Sequence, residues 1–216
     1  MLNMTKGILL SLIFMSSTNT FAKKNVHDLQ YQWTQEHYLL YEYAKKNKSF
    51  ILKNGREKFK NYLHYKSHIR DITEQFNAPK ELVIIAAIES SFVENARSRA
   101  GAVGMWQFMP DTARDMGLTV NNSIDERLDW QKSTIAAIKY MSWLAEELDG
   151  DYESAVLAYN YGIGRLKRSA ERVNSNDAFA LIDSGLLPKE SEEYLLKFLT
   201  YLHYFDYLIE MHYETD

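Results

Sequence analysis

The sequence predicts an all-α protein, because apolar residues recur at helical spacing along most of the chain and no segment shows sustained strand alternation. Glycine, proline and short polar stretches separate the helical segments, and no internal repeat or low-complexity linker interrupts them. The chain has 216 residues, of which 46% are hydrophobic and 25% charged. This length and composition fit one well-packed domain with an additional segment.

Residues 1–22 have the pattern of a secretory signal peptide. Lys6 supplies the positive start, residues 7–15 are nearly all apolar, and Thr20 and Ala22 are the small residues expected at a cleavage site. A membrane span needs about 20 apolar residues, so this run is too short to cross a bilayer comfortably. We therefore expect cleavage after about Ala22 and no integral membrane span thereafter, with an uncleaved anchor as the alternative.

Two amphipathic helices are predicted next. Apolar and aromatic residues lie along one helical face from residue 25 to about residue 47, and again from about Arg56 to Phe76. Pro79 disfavours helix in the residue before it but suits the first turn of a new helix. We accordingly assign residues 23–76 to an N-terminal helical extension and residues 77–213 to the main domain.

The main domain begins with the most apolar helix of the chain, predicted from Leu82 to about Ser91, in which residues 82–88 are apolar without a break. Such a helix must be buried on nearly every side. Periodicity and glycine or proline punctuation predict the remaining helices. They are expected over residues 110–117, 128–148, 152–160 and 189–213, with a further short helix that follows the interruption at Gly162 and Gly164 and ends at about Val173.

Glu89 directly follows the apolar run, on the face shared by Leu82, Ile85 and Ala86. Burial disfavours the charged form of a carboxyl group and raises its pKa, which is how an acid can stay protonated near neutral pH. Alternatively, Glu89 caps its helix or forms a buried ion pair with a nearby arginine, Arg97 or Arg99. The position alone leaves both interpretations open, because structural ion pairs also perturb carboxylates.

Several classes of function are disfavoured by composition and spacing. The formal net charge of −4 and the lack of a Lys/Arg cluster argue against nucleic-acid binding. His64 and His68 lie four residues apart, but no third ligand completes a zinc pattern. Gly162 and Gly164 lack the third glycine and the preceding strand of a dinucleotide loop. We predict neither a metal nor a cofactor, and the absence of cysteine excludes a disulfide.

Three motifs surround Glu89 in the sequence: ESSF at 89–92, GMWQFMP at 104–110 and AYN at 158–160. Three further segments accompany them: DERLD at 125–129, YGIGR at 161–165 and LPKESEEY at 187–194. Together they resemble the lytic transglycosylases of the soluble-lytic-transglycosylase, lysozyme-like superfamily. The resemblance extends from about Phe59 to Tyr204, and it implies a lysozyme-like helical catalytic domain after the N-terminal extension.

The resemblance implies that Glu89 is the catalytic acid and base of an enzyme that cleaves peptidoglycan glycan strands. In this family one glutamate first protonates the leaving glycosidic oxygen and later removes the proton of the muramic-acid C6 hydroxyl. The substrate's own acetamido group attacks the anomeric carbon, so no second carboxylate is required, unlike in most glycosidases. The product carries a 1,6-anhydro end, and a periplasmic location follows from the signal peptide and the substrate.

The resemblance also implies six substrate-binding residues, which match family positions around the cleft. They are Ser90, Gln107, Met109, Tyr159, Asn160 and Tyr194. Tyr194 is in addition a possible partner for Glu89, and Ser90 has the alternative of being an ordinary small helix residue. Trp106 stands where many relatives have Met, and we favour core filling over a sugar platform for it. Ile163 replaces a glutamate common in the family, which argues against a charge role there.

Two other functions remain open from the sequence. A goose-type-like lysozyme would hydrolyse the same bond with water, but no clear hydrolytic base is evident. A non-catalytic glycan-binding scaffold of a cell-envelope assembly would retain the cleft without needing Glu89. The sequence favours the lytic transglycosylase, with the beta-1,4 bond between N-acetylmuramic acid and N-acetylglucosamine as its target.

Overall fold

The structure is a computed structural model, and it describes residues 38–210. The predicted signal peptide lies outside these residues. So do residues 23–37 of the predicted extension and residues 211–213 at the end of the predicted last helix.

Residues 38–210 contain nine α-helices and no extended strand, and β pairing within this range is limited to isolated bridges such as Arg97 with Val103. The all-α prediction is confirmed. The helices are α1 (Tyr38–Gln75), α2 (Val83–Glu89), α3 (Pro110–Asp115), α4 (Trp130–Glu147), α5 (Tyr152–Tyr161), α6 (Ile163–Val173), α7 (Ala178–Asp183), α8 (Lys189–His203) and α9 (Phe205–Glu210). Single 3₁₀ turns at Lys80–Leu82 and Glu126–Leu128 precede α2 and α4.

Helix α1 corrects one expectation, because the predicted interruption between residues 47 and 56 does not exist. The helix runs without a break from Tyr38 to Gln75. Gly55 lies inside this helix, at the place where α1 packs against the C-terminal helices. A Cβ there would meet Leu208 at 2.9 Å and Tyr201 at 3.0 Å, so the glycine permits close packing.

The C-terminal region differs from its prediction in two places. The single helix expected over residues 189–213 is two helices within the described residues, since α8 ends at His203 and α9 begins at Phe205. The segment between Val173 and residue 189, where no helix was predicted, contains α7, which Asp177 caps by accepting a hydrogen bond from the Ala180 amide. Six residues are too few for periodicity to reveal a helix.

The core surrounds α5, which packs against α4, α6 and α8, while α1 packs against α8, α4 and α2. Residues 82–87 are completely buried, which confirms that α2 is enclosed. Helix α1 contributes side chains such as Phe59 and Ile69 to the same core, and the domain boundary at residue 77 stays a prediction. No helix between residues 38 and 210 has the length and apolarity needed to cross a membrane.

Candidate active site

Glu89 is the last residue of α2, so its carboxylate leaves the apolar core at the helix end, where it is partly buried. The Tyr194 hydroxyl, which comes from α8, donates a hydrogen bond to Glu89 Oε1 at 2.7 Å. No Lys or Arg side chain of the described residues lies within ion-pair distance of this carboxylate. The alternative of an ion pair with Arg97 or Arg99 is therefore not what the structure contains.

The environment of Glu89 favours its protonated form. Burial raises its pKa, against the opposing effects of the Tyr194 hydrogen bond and the positive charge of Lys197, and the charge of Glu190 raises it further. Burial and the nearby charge of Glu89 also raise the pKa of Tyr194 and of Tyr159 well above the usual range. Both tyrosines are therefore neutral hydrogen-bond donors.

The loop between α2 and α3 is fixed to its surroundings through main-chain atoms. The Ser90 hydroxyl donates to the Met105 carbonyl at 2.7 Å and accepts from the Val93 amide at 3.1 Å. The structure thus uses this hydroxyl to position the loop, and the predicted contact of Ser90 with the carboxyl or the substrate stays a prediction. Trp106 is completely buried and donates from its indole to Thr134, which confirms core filling.

A polar pocket of about 220 Å³ brings four of the predicted binding residues together. Gln107, Met109, Tyr159 and Asn160 all line it. The Gln107 amide nitrogen donates to the carbonyls of Gly104 at 2.8 Å and Ala96 at 3.3 Å, which fixes the side chain, and Met109 is 45% exposed at the rim. Sugars are bound by such combinations of amides, hydroxyls and apolar faces.

Tyr159 connects this pocket to Glu89. It lines the pocket, its hydroxyl donates to the Trp106 carbonyl at 2.7 Å, and the charge of Glu89 acts on its pKa. Asn160 is oriented by Ser191, whose hydroxyl donates to the Asn160 side-chain oxygen at 2.7 Å. The amide nitrogen of Asn160 is thereby left as the group that can donate to a ligand.

Sequence reasoning missed several residues of this site. Ser191 lies within the LPKESEEY segment but was not predicted as a site residue, although it is 3% exposed and its hydroxyl bonds to Asn160. Arg165 lines the pocket with its guanidinium 5.3 Å from the centre of the Tyr161 ring. Glu190 and Lys197 precede and follow Tyr194 on α8 by four and three residues, so helical spacing places all three on one face and could have revealed them.

The raised pKa of Glu89 predicts that Glu89→Gln changes the pH dependence of stability. The charged carboxylate is disfavoured in the folded state, so the stability that Glu89 contributes is present below its unfolded pKa and is lost as the pH rises through its folded pKa. Relative to the wild type, the Gln variant should therefore gain free energy of unfolding over that rise. Urea denaturation across pH measures this, with Glu57→Gln at an exposed position of α1 as the control. A constant difference at all pH values would contradict the prediction.

Fold and site define a helical protein with a partly buried carboxylic acid beside a polar pocket. Residues 68–182, more than half of the chain, match the family model described as the transglycosylase SLT domain. The chain therefore belongs to this family, which confirms the resemblance seen in the motifs. No group of three His, Cys, Asp or Glu side chains within residues 38–210 is arranged to hold a metal ion.

Curated relatives and a solved structure agree with this family. The chain is 36% identical over 162 residues to membrane-bound lytic murein transglycosylase D of Escherichia coli K12, covering 67% of this chain and 35% of that relative. It is 40% identical over 99 residues to peptidoglycan transglycosylase gp16 of Escherichia phage T7, covering 45% of this chain and 8% of that one. The chain thus spans about a third or less of these relatives.

The solved structure is the 70 kDa soluble lytic transglycosylase of Escherichia coli. It aligns with a TM-score of 0.58 at 23% identity, covering 67% of this chain and 24% of that chain. At this identity the similarity establishes the fold, which is the predicted lysozyme-like helical arrangement.

Proposed function

We propose that this protein is a peptidoglycan lytic transglycosylase that cleaves the beta-1,4 bond between N-acetylmuramic acid and N-acetylglucosamine. The observation that carries the proposal is the state of Glu89, a carboxyl group whose pKa is raised by burial and which accepts a hydrogen bond from Tyr194 at 2.7 Å. Family membership and the names of the curated relatives, a murein transglycosylase and a peptidoglycan transglycosylase, support the choice of substrate.

The first step needs an acid. Protonated Glu89 donates its proton to the glycosidic oxygen as the bond to the anomeric carbon breaks, and the acetamido oxygen of the muramic acid attacks that carbon. A raised pKa keeps the proton on Glu89 at a pH where an ordinary carboxyl would have lost it. Tyr194 then stabilises the carboxylate that forms, because its hydroxyl donates to Oε1.

The second step needs a base. The Glu89 carboxylate removes the proton of the C6 hydroxyl, whose oxygen attacks the anomeric carbon and expels the acetamido oxygen. The 1,6-anhydro ring is formed, and Glu89 regains the proton it gave away. One carboxyl group therefore serves both steps without water.

The polar pocket is suited to hold the sugar in the reactive orientation. We assign the acetamido group to Asn160, whose side-chain oxygen accepts from Ser191, which leaves its amide nitrogen as the donor to the ligand. Gln107 and Met109, which line the same pocket, supply an amide and an apolar surface. We also propose Ser90 as a substrate-binding residue, because it is adjacent to Glu89 and its hydroxyl holds the loop after α2 in place.

Export to the periplasm completes the proposal, because the substrate lies outside the cytoplasmic membrane. The signal-peptide pattern of residues 1–22 supports the proposed export.

A goose-type-like lysozyme is the second candidate, and Glu190 is the observation that favours it. This carboxylate is close enough for its charge to raise the pKa of Glu89, and it is exposed to solvent, as a base that activates water would be. The electrostatic effect of Glu190 is the weakest of those acting on Glu89. A hydrolase would need it, whereas a lytic transglycosylase would not.

Glu190→Gln distinguishes the two candidates. We expect the variant to digest isolated sacculi within about threefold of the wild-type rate, since the change removes only a modest electrostatic contribution. Chromatography and mass spectrometry of the muropeptides should give 1,6-anhydro ends from both proteins. Reducing ends from the wild type, together with loss of activity in Glu190→Gln, would overturn the proposal in favour of the lysozyme.

A further inference from the structure

Lys58 of α1 donates hydrogen bonds to one residue before and one residue after Glu89, to the main chain of the first and to the side chain of the second. Its ammonium group donates to the Ala87 carbonyl at 2.7 Å and to the Ser91 hydroxyl at 2.5 Å. Ala87 and Ser91 stand two residues before and two residues after Glu89. A cation at this point also satisfies a carbonyl that the end of α2 leaves without a helical partner.

The segment after Glu89 has a backbone that needs such support. Ser91 has φ 57° and Phe92 has φ 64°, so two consecutive residues with side chains adopt the left-handed region. Residues other than glycine occupy this region only where the surroundings impose it, and they concentrate at functional sites. This turn ends α2 at Glu89 and sends the chain away from the helix axis.

Three more residues of α1 hold the same turn. Asn61 donates from its amide nitrogen to the Ser91 carbonyl at 3.0 Å. The Phe92 ring, which is 3% exposed, packs against Tyr62 and Tyr65, with ring centres 5.7 Å and 6.2 Å away. Lys58, Asn61, Tyr62 and Tyr65 recur at helical spacing, so one face of α1 forms a continuous support, here named the α1 clamp.

We propose that Lys58 and Asn61 are positioning residues of the active site, which set the direction of the Glu89 carboxyl by holding the turn at Ser91 and Phe92. The inference rests on the proposed function of Glu89 and adds a contribution from α1. Both residues precede the family match, which begins at residue 68. In this proposal the catalytic geometry depends on the part of α1 that precedes the family match.

One cation of α8, Lys197, acts electrostatically on both Lys58 and Glu89. Burial and the positive charge of Lys197 lower the pKa of Lys58, and the same Lys197 acts on Glu89.

The test compares Lys58→Met, Asn61→Leu and the conservative Lys58→Arg in the full chain, with Lys53→Met on an exposed position of α1 as the matched control. On soluble peptidoglycan strands, Lys58→Met is expected to lower kcat by about tenfold or more while KM stays within about twofold, because a displaced carboxyl impairs the reaction more than binding. Lys58→Arg should recover most of the loss, and Lys53→Met should behave as the wild type.

Hydrogen exchange supplies a readout that does not depend on activity. The Lys58→Met variant should show faster exchange at the amides of Phe92 and Val93, while the amides of α4 keep wild-type protection. Unchanged kcat with unchanged exchange would overturn the proposal. A loss of kcat accompanied by faster exchange over the whole chain would also overturn the proposal, because Lys58 would then contribute only to folding.

The proposed function of Glu89 and the role of the α1 clamp can be refuted independently of each other. A folded wild-type protein that releases no product refutes the proposed function. In that case the exchange rates of Phe92 and Val93 still decide whether the α1 clamp holds the turn, and wild-type rates in Lys58→Met would refute it.

Discussion

Glu89→Gln is expected to lower the rate of sacculus digestion by roughly a thousandfold or more, because the same carboxyl group acts as acid and then as base. The glutamine side chain has nearly the same shape, and its amide oxygen can still accept the Tyr194 hydrogen bond seen at 2.7 Å in the wild type. An amide can neither donate the proton to the glycosidic oxygen nor take the one from the C6 hydroxyl. The loss should therefore appear in kcat, with binding of glycan strands retained.

Activity is measured as the release of soluble muropeptides from isolated sacculi. Binding is measured by co-sedimentation of the protein with the same sacculi. Glu57→Gln, an exposed carboxylate of α1, is the matched control and should digest sacculi at the wild-type rate. Digestion by Glu89→Gln at close to the wild-type rate would remove Glu89 from the chemistry. Binding without any digestion by the wild type would instead support the non-catalytic scaffold.

Gly104→Ala is expected to be the most destabilising single substitution in the loop that carries Gln107. Gly104 is buried with φ 89°, and a Cβ at this position would lie 1.9 Å from the main-chain oxygen of Arg127. Backbone cannot move aside as a flexible side chain can, because Arg127 is itself fixed by hydrogen bonds to Asp125 and to the Phe108 carbonyl. We expect a loss of more than about 4 kcal/mol of unfolding free energy, or failure to fold.

Gly101→Ala is the matched control, since it shares the loop and the left-handed backbone. Gly101 has φ 95°, but a Cβ there would meet nothing within 4 Å. Its substitution should cost only the conformational penalty, about 1–2 kcal/mol. Urea denaturation of the two variants measures the difference, and equal stability of Gly104→Ala and Gly101→Ala would refute the steric account of Gly104.

Local sequence patterns predicted those helices whose burial and ends are determined by neighbouring residues in the sequence. The apolar run before Glu89 gave the buried helix α2, and Pro110 and Gly117 marked the short helix α3 and its end, where Gly117 has φ 88°. The combination of a buried helix with a terminal carboxylate identified Glu89 as a candidate. The surrounding motifs, rather than periodicity, added the substrate and the other members of the site.

Contacts between distant segments were not predictable in the same way. Lys58 and Ser91 are 33 residues apart, and only the packing of α1 against α2 brings them together. The continuity of α1 through Gly55 was not predicted for a related reason, because this glycine packs against Tyr201 and Leu208, which lie far along the chain. The Ser191 contact with Asn160 likewise requires the packing of α8 against α5.

Digestion of sacculi in water enriched with heavy oxygen tests the central claim most directly. If Glu89 removes the proton of the C6 hydroxyl and the C6 oxygen closes the ring, no solvent oxygen enters the product. Mass spectrometry should then find unlabelled 1,6-anhydro ends. A reaction that uses water must place a solvent oxygen at the anomeric carbon. Labelled reducing ends as the main product of the wild-type protein would contradict the account.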